Sequence, residues 1–347
     1  MPKSIAEVEN ENLESQIVAL KKQNQRLKSE NAGFREQLGN QEILAEKIRD
    51  AVLEIQPIKP PTIKIPKVKG EHKQPIVASL QTGDLHCGEV VKPSNTDRWG
   101  KYNYDIARDK AHFLVDKYIQ WIGDCRKAGW NIKEFFLWNL GDSIAGDIHD
   151  ELTITNEFPV PVQMVKAGEL YTEMAQRLAG HCERLTIRTY AGNHDRLFRK
   201  KQYKQRAENS AAFVVHHIMS KALQNQKNIK FGLATSDPDL VEINGWNFLS
   251  GHGDNIKGWS GHPWYGWDRN DKKESFRRMN TNEGFHYRVF AHWHVPIWHI
   301  YRIGTGSFFG TNELDHSQGR TSPPVQVAYL IHRKRGVFNM MQFQLEK

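Results

Sequence analysis

The sequence predicts an α/β domain, its sheets covered by helices, carried behind a long N-terminal coiled-coil helix. Three observations predict it. The opening segment repeats in sevens. Beyond it, apolar strand-like runs alternate with longer helical stretches. Five of those runs end in short segments rich in Asp, His, Asn and Gly. A sustained heptad repeat calls for a helical partner along its seam, and strand–helix alternation calls for sheets with helices on their faces.

The heptads come first. Leu13, Leu20, Leu27 and Phe34 fall at d, with Ile17, Asn24, Asn31 and Leu38 at a. The register continues through Ala45, Ile48, Val52 and Ile55 and is weakest around Gly39-Asn40-Gln41. No proline stands between Lys3 and Gln56, and Glu, Lys and Gln fill many outward positions. An Asn at a pairs with its own copy across a two-stranded seam, so Asn10, Asn24 and Asn31 favour a parallel homodimer; recruitment of a different protein partner is the alternative. The helix is expected to stop near Gln56. Pro57, Pro60, Pro61 and Pro66 then punctuate a lysine-containing stretch reaching Pro75. Such a stretch makes an extended, stiff connector, free or laid along the globule. The expected organisation is a coiled-coil helix over 1–56, a connector over 57–75 and a catalytic domain over 76–347.

Within that domain, strands are expected at Ile76–Leu80, Phe135–Leu140, Leu185–Tyr190, Trp246–Ser250 and Tyr287–Phe290. Helices are expected at about 104–128, 161–180 and 205–224. The tail returns to strands at Trp298–Ile303, Val325–His332 and Val337–Leu345, the last two joined through Arg333-Lys334-Arg335-Gly336.

Composition narrows the class. The 347 residues are 39% apolar and 25% charged, which suits a soluble chain. No apolar run approaches the roughly 18 residues needed to span a membrane. No secretory leader is expected, because Met1, Pro2 and Lys3 pass straight into acidic helical sequence. Cys87, Cys125 and Cys182 lack metal-ligand spacing and read as free thiols of a reducing, cytoplasmic compartment. Residues 1–55 hold 8 Lys/Arg against 10 Asp/Glu, a net of −2, so residues 56–347 carry a net of +10 and the whole chain +8. The basic part is the catalytic part, which favours a polyanionic partner over a merely solvated surface.

The chemistry lies in five segments. They are Asp84-Leu85-His86, Gly141-Asp142, Gly192-Asn193-His194-Asp195, Gly251-His252-Gly253 and Ala291-His292-Trp293-His294. Each stands where an expected strand ends, so a sheet can hold its side chains in a common place. Residues two apart share a face at a strand end, which lets Asp84 and His86, or His292 and His294, converge on one ion. Asp, His and Asn suit divalent ions, and a pair of ions can clamp both sides of a displacement at phosphorus.

These segments resemble the calcineurin-like metallophosphoesterase superfamily over roughly residues 76–310. The family pattern is Asp-x-His, Gly-Asp, Gly-Asn-His-Asp/Glu, a Gly-His segment and Gly-His-x-His. Here Ala291 replaces the last Gly, and Ile303-Gly304-Thr305-Gly306-Ser307 resembles the Gly-Ser strand that follows. The resemblance implies a sandwich of sheets flanked by helices. It implies that Asp84, His86, Asp142 and His294 hold one ion and Asp142, Asn193, His252 and His292 the other, with Asp142 bridging. Mn²⁺ is the expected metal, with Fe or Zn²⁺ as alternatives the ligand set does not separate. The expected reaction is in-line attack by a metal-bridging hydroxide, with His194 protonating the leaving group or orienting the phosphate. Asp195 would hold the His194 ring or cap the turn.

Substrate class is read from the surroundings. Residues 196–206 carry six basic side chains, among them Arg196, Arg199 and Lys200, with Phe198 and Tyr203 interleaved. That mixture can follow a nucleic-acid backbone and stack on bases, or simply be a solvated helix start. Trp246, Trp259, Trp264 and Trp267 stand among glycines around His252 and form either an aromatic rim or loop packing. Lys272, Lys273, Arg277 and Arg278 add a second basic cluster. Ser143-Ile144-Ala145-Gly146 replaces the Val-Asp-Arg-Gly of the family's protein phosphatases, which argues against a phosphoprotein substrate. The layout is closest in flavour to the DNA double-strand-break repair nuclease branch, without its C-terminal cap. The expectation is a self-dimerising DNA nuclease of the kind a phage or mobile element carries. The alternative is a phosphomonoesterase or small-nucleotide phosphodiesterase.

Overall fold

The computed structural model describes residues 5–65, 74–201, 203–258 and 263–346, with side chains of the first helix described only in part. It divides into two compact units, one ending at Glu54 and one beginning at Ile55.

The first unit is a continuous helix, α1 (Ile5–Glu54). It ends two residues before the expected stop, ahead of Pro57. Ile17, Leu20, Leu27, Ile43 and Leu53 are exposed along it.

The second unit opens with the described part of the connector, which lies along the globule. The Ile58 amide donates to Ala222 O (2.7 Å) and the Lys64 amide to Gly180 O (2.9 Å). Residues 66–73 lie outside the described residues.

Two sheets form the centre. The first contains β1 (Ile76–Thr82), β2 (Ile132–Asn139), β3 (Arg184–Thr189), β4 (Ile229–Leu233), β10 (Val325–His332) and β11 (Gly336–Gln344). Its order is β11-β10-β1-β2-β3-β4, with β1 to β4 parallel and β10 and β11 antiparallel to their neighbours. The second contains β5 (Asp239–Ile243), β6 (Trp246–Ser250), β7 (Tyr287–Phe290), β8 (Ile297–His299) and β9 (Arg302–Gly304), in the order β5-β6-β7-β9-β8. Strands β6, β7 and β9 run parallel.

The inner faces of the sheets pack on each other. Phe136, Trp138, Phe248, Val289, Ile303, Tyr329 and Ile331 form one cluster drawn from both. Three helices cover the outer face of the first sheet: α2 (Tyr104–Lys127), α4 (Val160–Ala179) and α5 (Ala211–Ala222). The side chains of Asn103 and Ser210 cap α2 and α5. Two short helices, α3 (Leu152–Thr155) and α7 (Glu313–Ser317), sit in connections. Helix α6 (Trp264–Met279) covers the second sheet, where Trp267 packs on Phe290, the neighbour in β7 that points opposite to Val289. This is the α/β sandwich of sheets flanked by helices that the resemblance implies.

Two local expectations need correction. The helix expected from residue 205 begins at Ala211, because Ser210 is its cap. The single strand expected over Trp298–Ile303 is a hairpin of β8 and β9 turning at Ile300-Tyr301. Helix α6 was not expected. Among the described residues, no helix is long and apolar enough to cross a membrane.

Candidate metal centre

The five chemical segments leave the C-terminal ends of β1, β2, β3, β6 and β7, all parallel strands and drawn from both sheets. Crevices at such strand ends are where α/β sheets bind ligands. The local backbone is unusual. Asp84, His86, Asp142, His292 and His294 all have φ between +45° and +72°. A left-handed backbone is sterically unfavourable for residues with a Cβ, and it clusters where surrounding structure imposes a functional geometry. Here the imposing contacts are visible. The Asp84 amide donates to Gly141 O (3.1 Å), the His86 amide to Asp142 O (2.9 Å) and the His292 amide to Asp84 Oδ2 (2.9 Å).

Ligating atoms gather in three overlapping groups: Asp84, His86 and His294; His86, Asp142 and His194; and Asp142, His252 and His292. Asp142 is shared by the second and third. Its Oδ2 lies 3.5 Å from His86 Nε2 and 3.0 Å from His252 Nε2. Asn193 adjoins the third group, its Oδ1 3.1 Å from His252 Nε2. All seven side chains expected to hold metal are therefore brought together. Asp84 Oδ1 is buried without a hydrogen-bond partner in the protein, and Asp142 Oδ2 meets only the site's own imidazoles. Buried polar atoms left so are costly, and divalent ions would satisfy these. The residues fit a two-ion site.

The charges are balanced by imidazolium in the metal-free fold. Burial disfavours a charged His252, yet Asp142 holds its pKa up at about 10. His86 is likewise raised well above its ordinary value despite burial, by Glu89 and Asp142. Burial raises the Asp84 carboxyl against the pull of His294 and His252. His194 goes the other way, to about 4, through burial and the neighbouring His86.

His194 sits over the site, its ring centroid 4.4 Å from that of His86, with Nδ1 2.7 Å from Ala145 O. If Nδ1 carries the proton, Nε2 is left as an acceptor. Asp195 does not hold this ring, correcting the expectation of a catalytic partner. Its carboxylate accepts from the amides of Asp142 (2.8 Å), Ser143 (3.0 Å) and Gly192 (2.8 Å), so it fixes backbone. Gly192 permits the close approach: a Cβ there would lie 2.0 Å from Asp142 Oδ1. Ala291 is tolerated because it faces Gly83, which offers no side chain.

The expected substrate contacts fare unevenly. Arg196 and Lys200 line a small recess beside Asn193, and Arg196 Nε is buried without a partner. Arg199 instead pairs with Asp150, Lys201 with Asp254 (2.9 Å), and Arg206 with Asp237 (2.7 Å) and Asp254 (2.6 Å). Trp259 lies outside the described residues. Trp264 is half-exposed and packs on Trp267 and His299. Trp267 is core and Trp246 packs on Tyr287, so neither forms a rim. Cys87 has no chemical role to offer: it is buried, which pushes its thiol up to about 12.

Sequence reasoning missed Glu89, Asp315 and Asn312, which stand behind the histidines. His294 Nδ1 hydrogen-bonds Asp315 Oδ2 (2.7 Å). His86 Nδ1 lies 2.6 Å from Glu89 Oε2, an ion-pair contact that raises the pKa of the ring. Glu89 was readable in principle, three residues from His86; Asp315 was not, because only the fold brings it near.

No protein-family model matches the chain, and no curated protein matches it. Among solved structures it is similar to a provisionally named 5'-nucleotidase from Staphylococcus aureus in complex with alpha-ketoglutarate, at 8% identity and a TM-score of 0.33. The match covers 78% of this chain but only 55% of that one.

Proposed function

We propose that this chain is a dinuclear-metal phosphoesterase acting on small phosphoesters of the nucleotide type. The observation that carries the reading is Asp142, whose Oδ2 lies within 3.5 Å of His86 Nε2 and 3.0 Å of His252 Nε2 and so links the ligand groups. Asp84, His86, Asp142 and His294 would hold one ion, and Asp142, Asn193, His252 and His292 the other. Bound ions supply Lewis-acid neutralisation of the phosphate oxygens and lower the pKa of water. The chain's own residues do the rest. Arg196, with its free Nε beside Asn193, would bind the phosphate, and His194 would take a proton at Nε2 from the attacking water and return it to the leaving oxygen. Mn²⁺ is the metal we favour, with Fe or Zn²⁺ as alternatives.

The small-substrate reading is favoured over a nuclease by the fate of the basic segment. Arg199, Lys201 and Arg206 are occupied by acidic partners, which leaves too few cations in residues 196–206 to track a polynucleotide backbone. A cavity of about 260 Å³ lined by Tyr190, Lys201, Tyr203, Arg206 and Asn255 adjoins this segment. The DNA-nuclease reading keeps one specific support, the net +10 of residues 56–347. Exposed Ile17, Leu20 and Leu27 support homodimerisation through a coiled coil of α1.

The test is hydrolysis by Mn²⁺-loaded protein of an aryl phosphomonoester, nucleoside monophosphates, a small phosphodiester and end-labelled DNA and RNA. Turnover of the small esters, lost in Asp84→Ala and His194→Ala, is expected. Polymer cleavage without small-ester turnover would restore the nuclease.

A further inference from the structure

Two imidazoles of the centre are backed by carboxylates, and one residue links the backing groups. Asp315, fully buried, accepts from His294 Nδ1 and pairs with Arg320 (2.9 Å). Glu89, also buried, abuts His86 Nδ1 at 2.6 Å. Asn312 stands between them: its Nδ2 donates to Glu89 Oε1 (2.9 Å) and its Oδ1 accepts from the Asp315 amide (3.0 Å). Phe309, from the same stretch of chain, sets its ring edge-on to His86 (5.0 Å) and His294 (4.7 Å). The segment 309–320 thus holds both histidines of one ligand group from behind. The other group is built differently. His252 turns Nδ1 to a neutral carbonyl, Leu140 O (2.8 Å), and its neighbour Asn193 brings no charge.

We propose that Glu89, Asn312 and Asp315 make the two ion sites unequal, so that the site of Asp84, His86 and His294 fills first and holds its ion more tightly. This rests on the two-ion reading above. A carboxylate behind an imidazole fixes its tautomer and orientation and raises its basicity as a ligand, an effect worth about 10–100-fold in affinity. Two such supports act on one site. They are positioning residues, since neither touches the ion.

The test is a calorimetric and equilibrium-dialysis titration of the metal-free full chain with Mn²⁺, with thermal melts of every metal-free variant as a folding control. Wild type is expected to bind two ions in steps separated by at least about tenfold. Glu89→Gln and Asn312→Ala should weaken the first step by about 10–100-fold and leave the second within about threefold. Asp315→Asn should do the same; should it fail to fold, the other two variants decide. Two equal steps in wild type, or variants that leave the first step unchanged or weaken both alike, would overturn the inequality while leaving the two-ion reading standing. Failure of wild type to bind ions would instead remove that reading.

Discussion

At the scale of single residues, the centre separates groups that act from groups that hold. His194 and Asp195 are adjacent, yet only His194 faces the ligands; Asp195 faces three backbone amides. Replacing each tests the division. His194→Ala should lower kcat by about 10²–10⁴-fold with little change in melting temperature. Asp195→Ala strands three buried donors and should cost several kcal/mol, roughly 1–3 for each donor, seen as a fall in denaturant midpoint. Equal stability losses in the two would show that the roles are not separate. Protonation gives a second prediction. The pKa of His252 is raised in the metal-free fold to about 10, so the stability its proton contributes is full below about pH 6.5 and lost as pH rises through about 10. An ion at His252 or His86 must displace that proton. Uptake near pH 7 should therefore release protons, and affinity should rise with pH. Calorimetry in buffers of different ionisation heat reads this directly; a heat independent of buffer would refute it.

At the scale of elements, the site depends on strand ends meeting closely. The turns after β2 and β3 touch through Gly141 and Gly192, whose substituted Cβ would collide with the opposite turn. Gly192→Ala should displace Asp142, lose one ion per chain and cost about 1–3 kcal/mol, measured by metal content and chemical denaturation. Retention of both ions at the wild-type midpoint would mean the close approach is dispensable. This level was largely legible in the sequence. The apolar runs before each motif mark the strands by their chemistry, whereas the cap at Ser210, which starts α5 later than expected, was missed. Helix α6 was not legible, because its buried face is charged. Asp271 turns inward to Arg288 and Arg302, and Glu274 to Arg278, a pattern that an apolar period cannot reveal. The ion pairs of Arg199, Lys201 and Arg206 in the basic segment were not legible for the related reason that their acidic partners are distant in sequence.

At the scale of the whole molecule, the chain joins a long helix to a two-sheet globule. The heptads were plain in the sequence, but the seam needs a partner chain to become a coiled coil. Leu20→Lys with Leu27→Lys should convert a dimer to a monomer in sedimentation without changing turnover per chain. A wild-type monomer would remove the homodimer. On the proposed two-ion reading, one carboxylate of the globule, Asp142, couples the ions. Electron paramagnetic resonance of protein loaded with Mn²⁺ measures that most directly. An exchange-coupled signal in wild type, lost in Asp142→Ala, is the expected result. Isolated mononuclear signals in wild type, or a single ion per chain, would contradict it.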